Sequence, residues 1–252
     1  MRKAIAAILA AAWLAAAGPA AAEEPAPGQV ITSALEIGKL RVALPPGKWN
    51  VVAEHTGRAS SSDGAPSGNT YKGYYLVQYD QDKRFIASFY ARATTGEGRP
   101  VEWRSKLCER EDTLFRAVLG GPAHSQDCVL VNHLVRFYQA KPREDAERQA
   151  WQWVQANDLK LPRTVIEVQE RFFKGSDYLW VSYTVNPEIV DFVPSTITDW
   201  RQSEWHPNFV KTDPERKEYV EQLKTWALAN AKVHQAALRE NARNGQIGPW
   251  PR

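Results

Sequence analysis

The chain has 252 residues, and its 32 basic and 29 acidic side chains give a formal net charge of only +3 at neutral pH. A chain this close to neutrality lacks the charge excess that is typical of non-specific nucleic-acid binders, so nucleic acid is excluded as an expected partner. The length is sufficient for one large domain.

The first segment, residues 1–22, has the pattern of a secretory signal peptide. Arg2 and Lys3 form a short positive region, an uncharged alanine-rich run follows, and Gly18-Pro19 ends this run before the small residues Ala20-Ala21-Ala22. A membrane-spanning helix needs about 20 apolar residues, and this run is shorter. Cleavage after residue 22 would remove two basic side chains and lower the net charge from +3 to +1. We therefore expect a soluble periplasmic or secreted protein with no membrane span after signal cleavage.

The next seven residues, 23–29, are rich in proline and carry no apolar period. This composition predicts a disordered leader. Residues 30–252 are then predicted to form a single domain.

Two long stretches, residues 71–93 and 164–185, alternate apolar and polar side chains about a short polar turn, which predicts two β-hairpins. A fifth strong strand is predicted between them at residues 129–138. Because hairpins of this length are not stable alone, we expect them to share one antiparallel sheet.

Two helices are predicted from the spacing of their apolar residues. The first covers residues 144–157, with Ala146, Ala150, Trp153 and Val154 on one side and Trp151 turned away from them. The second begins at Pro214 behind the capping residue Asp213. Its apolar stripe runs from Val220 to Leu238, and it is predicted to end near Asn244-Gly245. A shorter third helix is predicted near residues 110–118. The predicted fold class is therefore α+β: a single domain whose antiparallel sheet, built from two long hairpins plus a central strand, is covered by two or three helices.

Cys108 and Cys128 are the two cysteines of the chain. In an exported protein such a pair is most often a disulfide, because the compartment is oxidising. A metal site or a catalytic thiol is the alternative, but neither a C-x-x-C spacing nor a papain-like context is present, so we predict the disulfide and no metal.

The sequence contains histidines that could act in catalysis, but they do not form a known catalytic motif. No zinc-protease, serine-hydrolase or nucleotide-binding motif occurs, and no cofactor is expected. Three histidines, His133, His206 and His234, are the catalytic candidates. For His133 and His234, which lie on apolar faces, a hydrogen-bonded core position is the alternative to an acid–base or ligand role.

The segment 191–207 is a long connection with two tryptophans, each beside charged residues. Connections of more than about 12 to 15 residues are usually functional or disordered, and the aromatic side chains argue against disorder. We predict that it is ordered and lines the main cleft, with a ligand- or partner-binding site formed by Trp200, Arg201, Glu204, Trp205 and His206. The alternative is that the two tryptophans pack the loop onto the core.

These features favour a non-catalytic protein of the periplasm or cell envelope that binds a small ligand or another envelope protein. The alternative hypothesis is a hydrolase that acts on an envelope or extracellular substrate through a histidine and a carboxylate.

Overall fold

The computed structural model describes residues 24–60, 66–98, 107–122, 125–137 and 145–251. These residues form ten strands, whose alternating side chains make most of the described fold. They are β1 (Val30–Ile31), β2 (Ala34–Ile37), β3 (Leu40–Ala43), β4 (Trp49–Ser60), β5 (Pro66–Tyr79), β6 (Phe85–Thr94), β7 (Phe115–Gly120), β8 (Asp127–Leu134), β9 (Val165–Lys174) and β10 (Asp177–Val185).

Eight of these strands form one antiparallel sheet in the order β1-β4-β5-β6-β10-β9-β8-β7, and β2 and β3 form a separate small hairpin. Both predicted hairpins are present, as β5–β6 and β9–β10. They meet in the middle of the sheet, where Trp180 of β10 pairs with Arg92 of β6. The predicted large antiparallel sheet is thus confirmed.

The predicted central strand is misplaced. The strand that begins at Asp127 is β8, which lies between β9 and the edge strand β7. The centre is instead occupied by β6 and β10, because the two hairpins pair directly with each other. Besides the two hairpins and β8, the described residues contain β1, β2, β3, β4 and β7, so the fold is richer in sheet than two hairpins and one further strand.

Three helices are described: α1 (Asp145–Ala156), the single turn α2 (Pro207–Val210) and α3 (Pro214–Glu240). The side chain of Asp213 accepts a hydrogen bond from the Arg216 backbone N–H at 3.0 Å, as the capping pattern predicted. The helix ends earlier than predicted, because Asn241 adopts the left-handed conformation with φ 55° and stops it. The third helix predicted near residues 110–118 is absent from the described part, where residues 110–114 form no regular element and β7 begins at Phe115.

One side of the sheet, which we call the core face, is covered by α3 and the β2–β3 hairpin. The predicted stripe of α3 is buried there, with Leu223, Ala227 and Ala231 fully enclosed. Trp250 from the C-terminal tail also packs on this side, its ring centroid 4.8 Å from that of Trp226. The core face is therefore closed by three separate parts of the chain.

The segment predicted as a disordered leader is held to the domain from Glu24 onward. One carboxylate oxygen of Glu24 accepts a hydrogen bond from the Gly38 backbone N–H at 2.7 Å, and the other accepts from Lys72 Nζ at 2.8 Å. The Gly28 backbone N–H donates to the Val51 carbonyl at 2.8 Å. The signal-peptide prediction, residues 1–22, lies outside the described residues.

The predicted disulfide between Cys108 and Cys128 is confirmed, with a Cα–Cα distance of 5.7 Å. It joins the segment before β7 to the first residues of β8. Although α3 is 27 residues long, no helix in the described part of the chain has an apolar stretch sufficient to cross a membrane.

Candidate functional site: a cavity beneath helix α1

The side of the sheet opposite α3, which we call the cavity face, is organised in rows. Directly paired residues of neighbouring antiparallel strands point to the same face, so the register of β5, β6, β10, β9 and β8 defines each row. The arginine row is Gly73, Arg92, Trp180, Arg171, Cys128; the tyrosine row is Tyr75, Tyr90, Ser182, Gln169, Leu130; and the glutamate row is Val77, Ser88, Thr184, Glu167, Asn132.

Helix α1 packs against β4 and β5 on this face and leaves a cavity of about 470 Å³ over the tyrosine and glutamate rows. Pockets of about 300 to 1,000 Å³ are typical of small-molecule sites. Six of the described lining side chains are aromatic: Tyr75, Phe85, Tyr90, Phe137, Trp151 and Trp180. The cavity has the volume and the apolar walls that a small ligand requires.

The roof and one end of the cavity are built by aromatic contacts. Trp151 of α1 lies with its ring centroid 5.8 Å from that of Phe137, which in turn is 5.2 Å from Phe85. On the floor, the rings of Tyr75 and Tyr90 are 4.5 Å apart. These pairs fall in the range of centroid distances at which aromatic rings attract each other beyond simple burial.

The floor of the cavity carries one carboxylate, Glu167. Its Oε1 accepts a hydrogen bond from Ser182 Oγ at 3.0 Å. Burial raises the pKa of Glu167, while hydrogen bonds from Gln169 and Ser182 and the more distant charges of Arg110 and Arg171 act in the opposite direction. Among the described residues Glu167 forms no ion pair, so a charged carboxylate is only partly compensated here.

Two further polar atoms of the cavity lining are buried. Gln169 Oε1, an acceptor, and Trp180 Nε1, a donor, have no hydrogen-bond partner among the described residues. A buried polar atom without a partner costs about 1–3 kcal/mol, which a bound polar group would recover. The floor thus offers both an acceptor and a donor to a ligand.

The arginine row closes one end of the cavity. The guanidinium carbons of Arg92 and Arg171 lie 4.9 Å and 4.6 Å from the ring centroid of Trp180. Burial lowers the pKa of Arg171 to about 10, and repulsion from Arg92 acts in the same direction. The disulfide-bonded Cys128 ends this row, opposite Arg171.

The predicted catalytic histidines lie elsewhere, and two of them come together. His133 stacks on Trp200 at 5.0 Å, and Trp200 lies edge-on to His206 at 4.6 Å. His133 is fully buried, and its burial lowers its pKa to about 4 despite a hydrogen bond to the Trp200 carbonyl. His206 Nδ1 accepts from the Asn208 backbone N–H at 3.2 Å and so caps α2. Within the described residues neither ring is hydrogen-bonded to a carboxylate.

His234 is separate from this cluster and lies in the core. Its Nδ1 is 2.6 Å from Glu170 Oε2, its Nε2 is 3.1 Å from the Ala43 carbonyl oxygen, and the side chains of His234 and Glu170 are both fully buried. A carbonyl oxygen only accepts, so Nε2 must carry the hydrogen. This arrangement corresponds to the hydrogen-bonded core histidine that was the alternative in the sequence.

The segment 191–207 packs beside the core face. Trp205 is 1% exposed, and its ring lies 4.8 Å from Phe192. Glu204 Oε2 accepts from Ser195 Oγ at 3.0 Å, and Arg201 is exposed. Glu204 and His206 line two other grooves, of about 680 and 560 Å³, and no residue of this segment belongs to the described cavity lining. The binding role predicted for these residues stays a prediction.

The sequence missed the cavity residues, although one signal was present. Trp151 was that signal, because a tryptophan outside the apolar side of a helix indicates a second contact surface. In the structure its ring contacts Phe137. Glu167, Gln169 and Ser182 gave no signal, because polar residues that alternate with apolar ones in a strand look like a solvated face.

The described residues contain no group of three histidine, cysteine, aspartate or glutamate side chains that could hold a metal ion. Comparison with known proteins adds no template: no family model, no curated protein and no solved structure matches the chain. The candidate site therefore rests on its own geometry.

Proposed function

We propose that this protein is a non-catalytic binding protein, and that it holds a small, mostly apolar ligand in the cavity beneath α1. The observation that carries the proposal is the cavity itself, which combines aromatic walls with a few convergent polar groups on a rigid sheet. This combination is the usual composition of a small-molecule site.

The compartment is part of the proposal. The Cys108–Cys128 disulfide favours an oxidising environment, and the signal-like residues 1–22 favour export to the periplasm or the outside of the cell. A binding protein exported in this way would meet its ligand, or an envelope partner, outside the cytoplasm.

The hydrolase hypothesis has less support. Among the described residues, no histidine lines the cavity, and the carboxylate partner of His234 is buried together with it where no substrate reaches. General acid–base catalysis requires a group within hydrogen-bond reach of the substrate.

The proposal is tested by filling the cavity. N-phenyl-1-naphthylamine is a neutral dye that fluoresces on entering an apolar pocket, and we expect it to bind the wild-type protein. Ala150→Trp should abolish this binding because Ala150 lines the cavity, whereas Gln152→Trp, on the exposed side of the same helix, should leave it unchanged. Equal dye binding by both variants would contradict the proposal.

A further inference from the structure

The charged side chains that line the cavity share one sign. Among the described lining residues, the charged side chains are Glu147 of α1 and Glu167 of β9, and both are carboxylates. The remaining walls are aromatic or aliphatic, with a few hydroxyl and amide groups. Anionic groups set among aromatic faces are the chemistry that recognises an organic cation, since the face of an aromatic ring is negative.

From this juxtaposition we infer that the ligand carries a positive charge: an ammonium or quaternary ammonium group on an apolar body. This inference rests on the proposed function, because it names the ligand class of the same cavity. The cation would lie beside Glu167, and the apolar body would extend toward Phe137 and Trp151.

The side chains next to Glu167 define the position of the cation. Ser182 donates to one of its oxygens at 3.0 Å and orients the carboxylate on the floor of the cavity. Gln169, in the neighbouring row, adds an unpartnered buried acceptor oxygen. A ligand N–H, or the polarised methyl groups of a quaternary ammonium, would meet acceptors at both positions.

The arginine row does not compete for this seat. Along the backbone of β9, Arg171 is four residues from Glu167, roughly 13 Å at a rise of about 3.3 Å per residue. The charges of Arg110 and Arg171 lower the pKa of Glu167, but they do not cancel the larger effect of burial. Neither Arg92 nor Arg171 belongs to the described cavity lining, and both already lie against the ring of Trp180. A ligand cation is therefore repelled from the arginine row and attracted to the glutamate row, which orients the ligand.

Three probes of nearly equal shape test the sign of the charge: phenyltrimethylammonium, the neutral 2-phenylpropan-2-ol, and the anion benzenesulfonate. Dissociation constants are measured by calorimetry or protein-observed NMR. We expect the cation to bind roughly tenfold more tightly than the neutral probe, and benzenesulfonate to bind most weakly. Glu167→Gln should remove the preference for the cation, whereas Glu188→Gln, a partly exposed carboxyl outside the cavity, should preserve it.

A second readout is the pH dependence, since phenyltrimethylammonium does not titrate. Its affinity should fall as the pH is lowered through the raised pKa of Glu167, and the affinity of Glu167→Gln should stay flat. Retained N-phenyl-1-naphthylamine binding by Glu167→Gln shows that the cavity is still formed.

The outcomes separate the two proposals. Equal binding of all three probes, or tightest binding of benzenesulfonate, would overturn the cationic ligand and leave the binding function standing. Failure of the wild-type protein to bind any probe, including the neutral dye, would overturn both.

Discussion

The two faces of the sheet are made by the same five strands and have opposite chemistry. On the core face one row across the sheet reads Leu76, Phe89, Tyr183, Val168, Val131, while the adjacent glutamate row on the other face reads Val77, Ser88, Thr184, Glu167, Asn132. The first row is fully buried under α3 and its neighbours, and the second forms part of a cavity floor. Stability should therefore reside mainly on the core face and binding on the cavity face, and each prediction below tests this division.

The largest effect is expected from the buried pair in the core. His234→Ala should lower the free energy of unfolding by about 3–5 kcal/mol, because Glu170 would be left buried without its partner. Urea denaturation measures the loss, and Lys232→Ala, exposed on the same helix, should cost less than about 0.5 kcal/mol. A loss below about 1 kcal/mol for His234→Ala would mean that the pair does not stabilise the core.

The two faces can be compared directly with one truncation on each. Leu223→Ala should cost about 2–5 kcal/mol, because Leu223 is fully enclosed in the core. Trp151→Ala should cost clearly less, since Trp151 is only half-buried beside an existing cavity, but it should weaken N-phenyl-1-naphthylamine binding at least several-fold. Urea denaturation and dye titration of the two variants measure these effects. A larger loss of stability in Trp151→Ala than in Leu223→Ala, or a larger loss of dye binding in Leu223→Ala, would contradict the assignment of stability to the core face and binding to the cavity face.

The Cys108–Cys128 disulfide lies on the cavity face. Replacing both cysteines, Cys108→Ala with Cys128→Ala, should lower the free energy of unfolding by about 3 kcal/mol through the added entropy of the unfolded chain. Wild-type protein kept in reductant should match the double variant when both are unfolded in urea. No difference between oxidised and reduced wild-type protein would show that the bridge does not contribute.

The last effect concerns pH. His133 has a pKa of about 4 in the folded protein against an ordinary value of 6.5, so the unfolded chain takes up its proton first. The stability due to the neutral ring is present above pH 6.5 and is lost progressively as the pH falls to 4, by up to about 3 kcal/mol. His133→Phe keeps the stacking on Trp200 but cannot be protonated.

Carboxylates also titrate between pH 4 and 6.5. The loss of unfolding free energy in His133→Phe must therefore be compared with the loss in the wild-type protein. Urea unfolding at pH 6.5 and pH 4.5 should show a smaller loss for His133→Phe than for the wild-type protein. Identical losses would mean that His133 is protonated in the folded state as well.

Local structure was predictable from the sequence, and the site was not. The β5–β6 and β9–β10 hairpins, the Asp213 cap and the disulfide each depend on short patterns of residues. The contact between β6 and β10 joins residues that lie far apart in the chain, such as Arg92 and Trp180, and no local pattern encodes it. The cavity depends on that contact, because its floor is continuous only when the two hairpins are joined.

Helix α1 shows the same limit. A single apolar side was predicted for it, but the helix spans a cavity and uses two sides. Trp153 contacts Tyr79 at 6.1 Å on one side, while Trp151 contacts Phe137 on the other. The apolar stripe therefore predicted the helix and its Trp153 side, but it gave no indication of the second contact side at Trp151.

The packing of Trp250 against Trp49, at 6.2 Å between ring centroids, has a consequence for the timing of folding. The two residues are 201 positions apart in the chain. During synthesis from the N-terminus, Trp49 emerges long before Trp250, so the core face cannot close until nearly the whole chain is free. Until then the aromatic side chains of the core face stay exposed, which lengthens the time during synthesis in which the chain could aggregate.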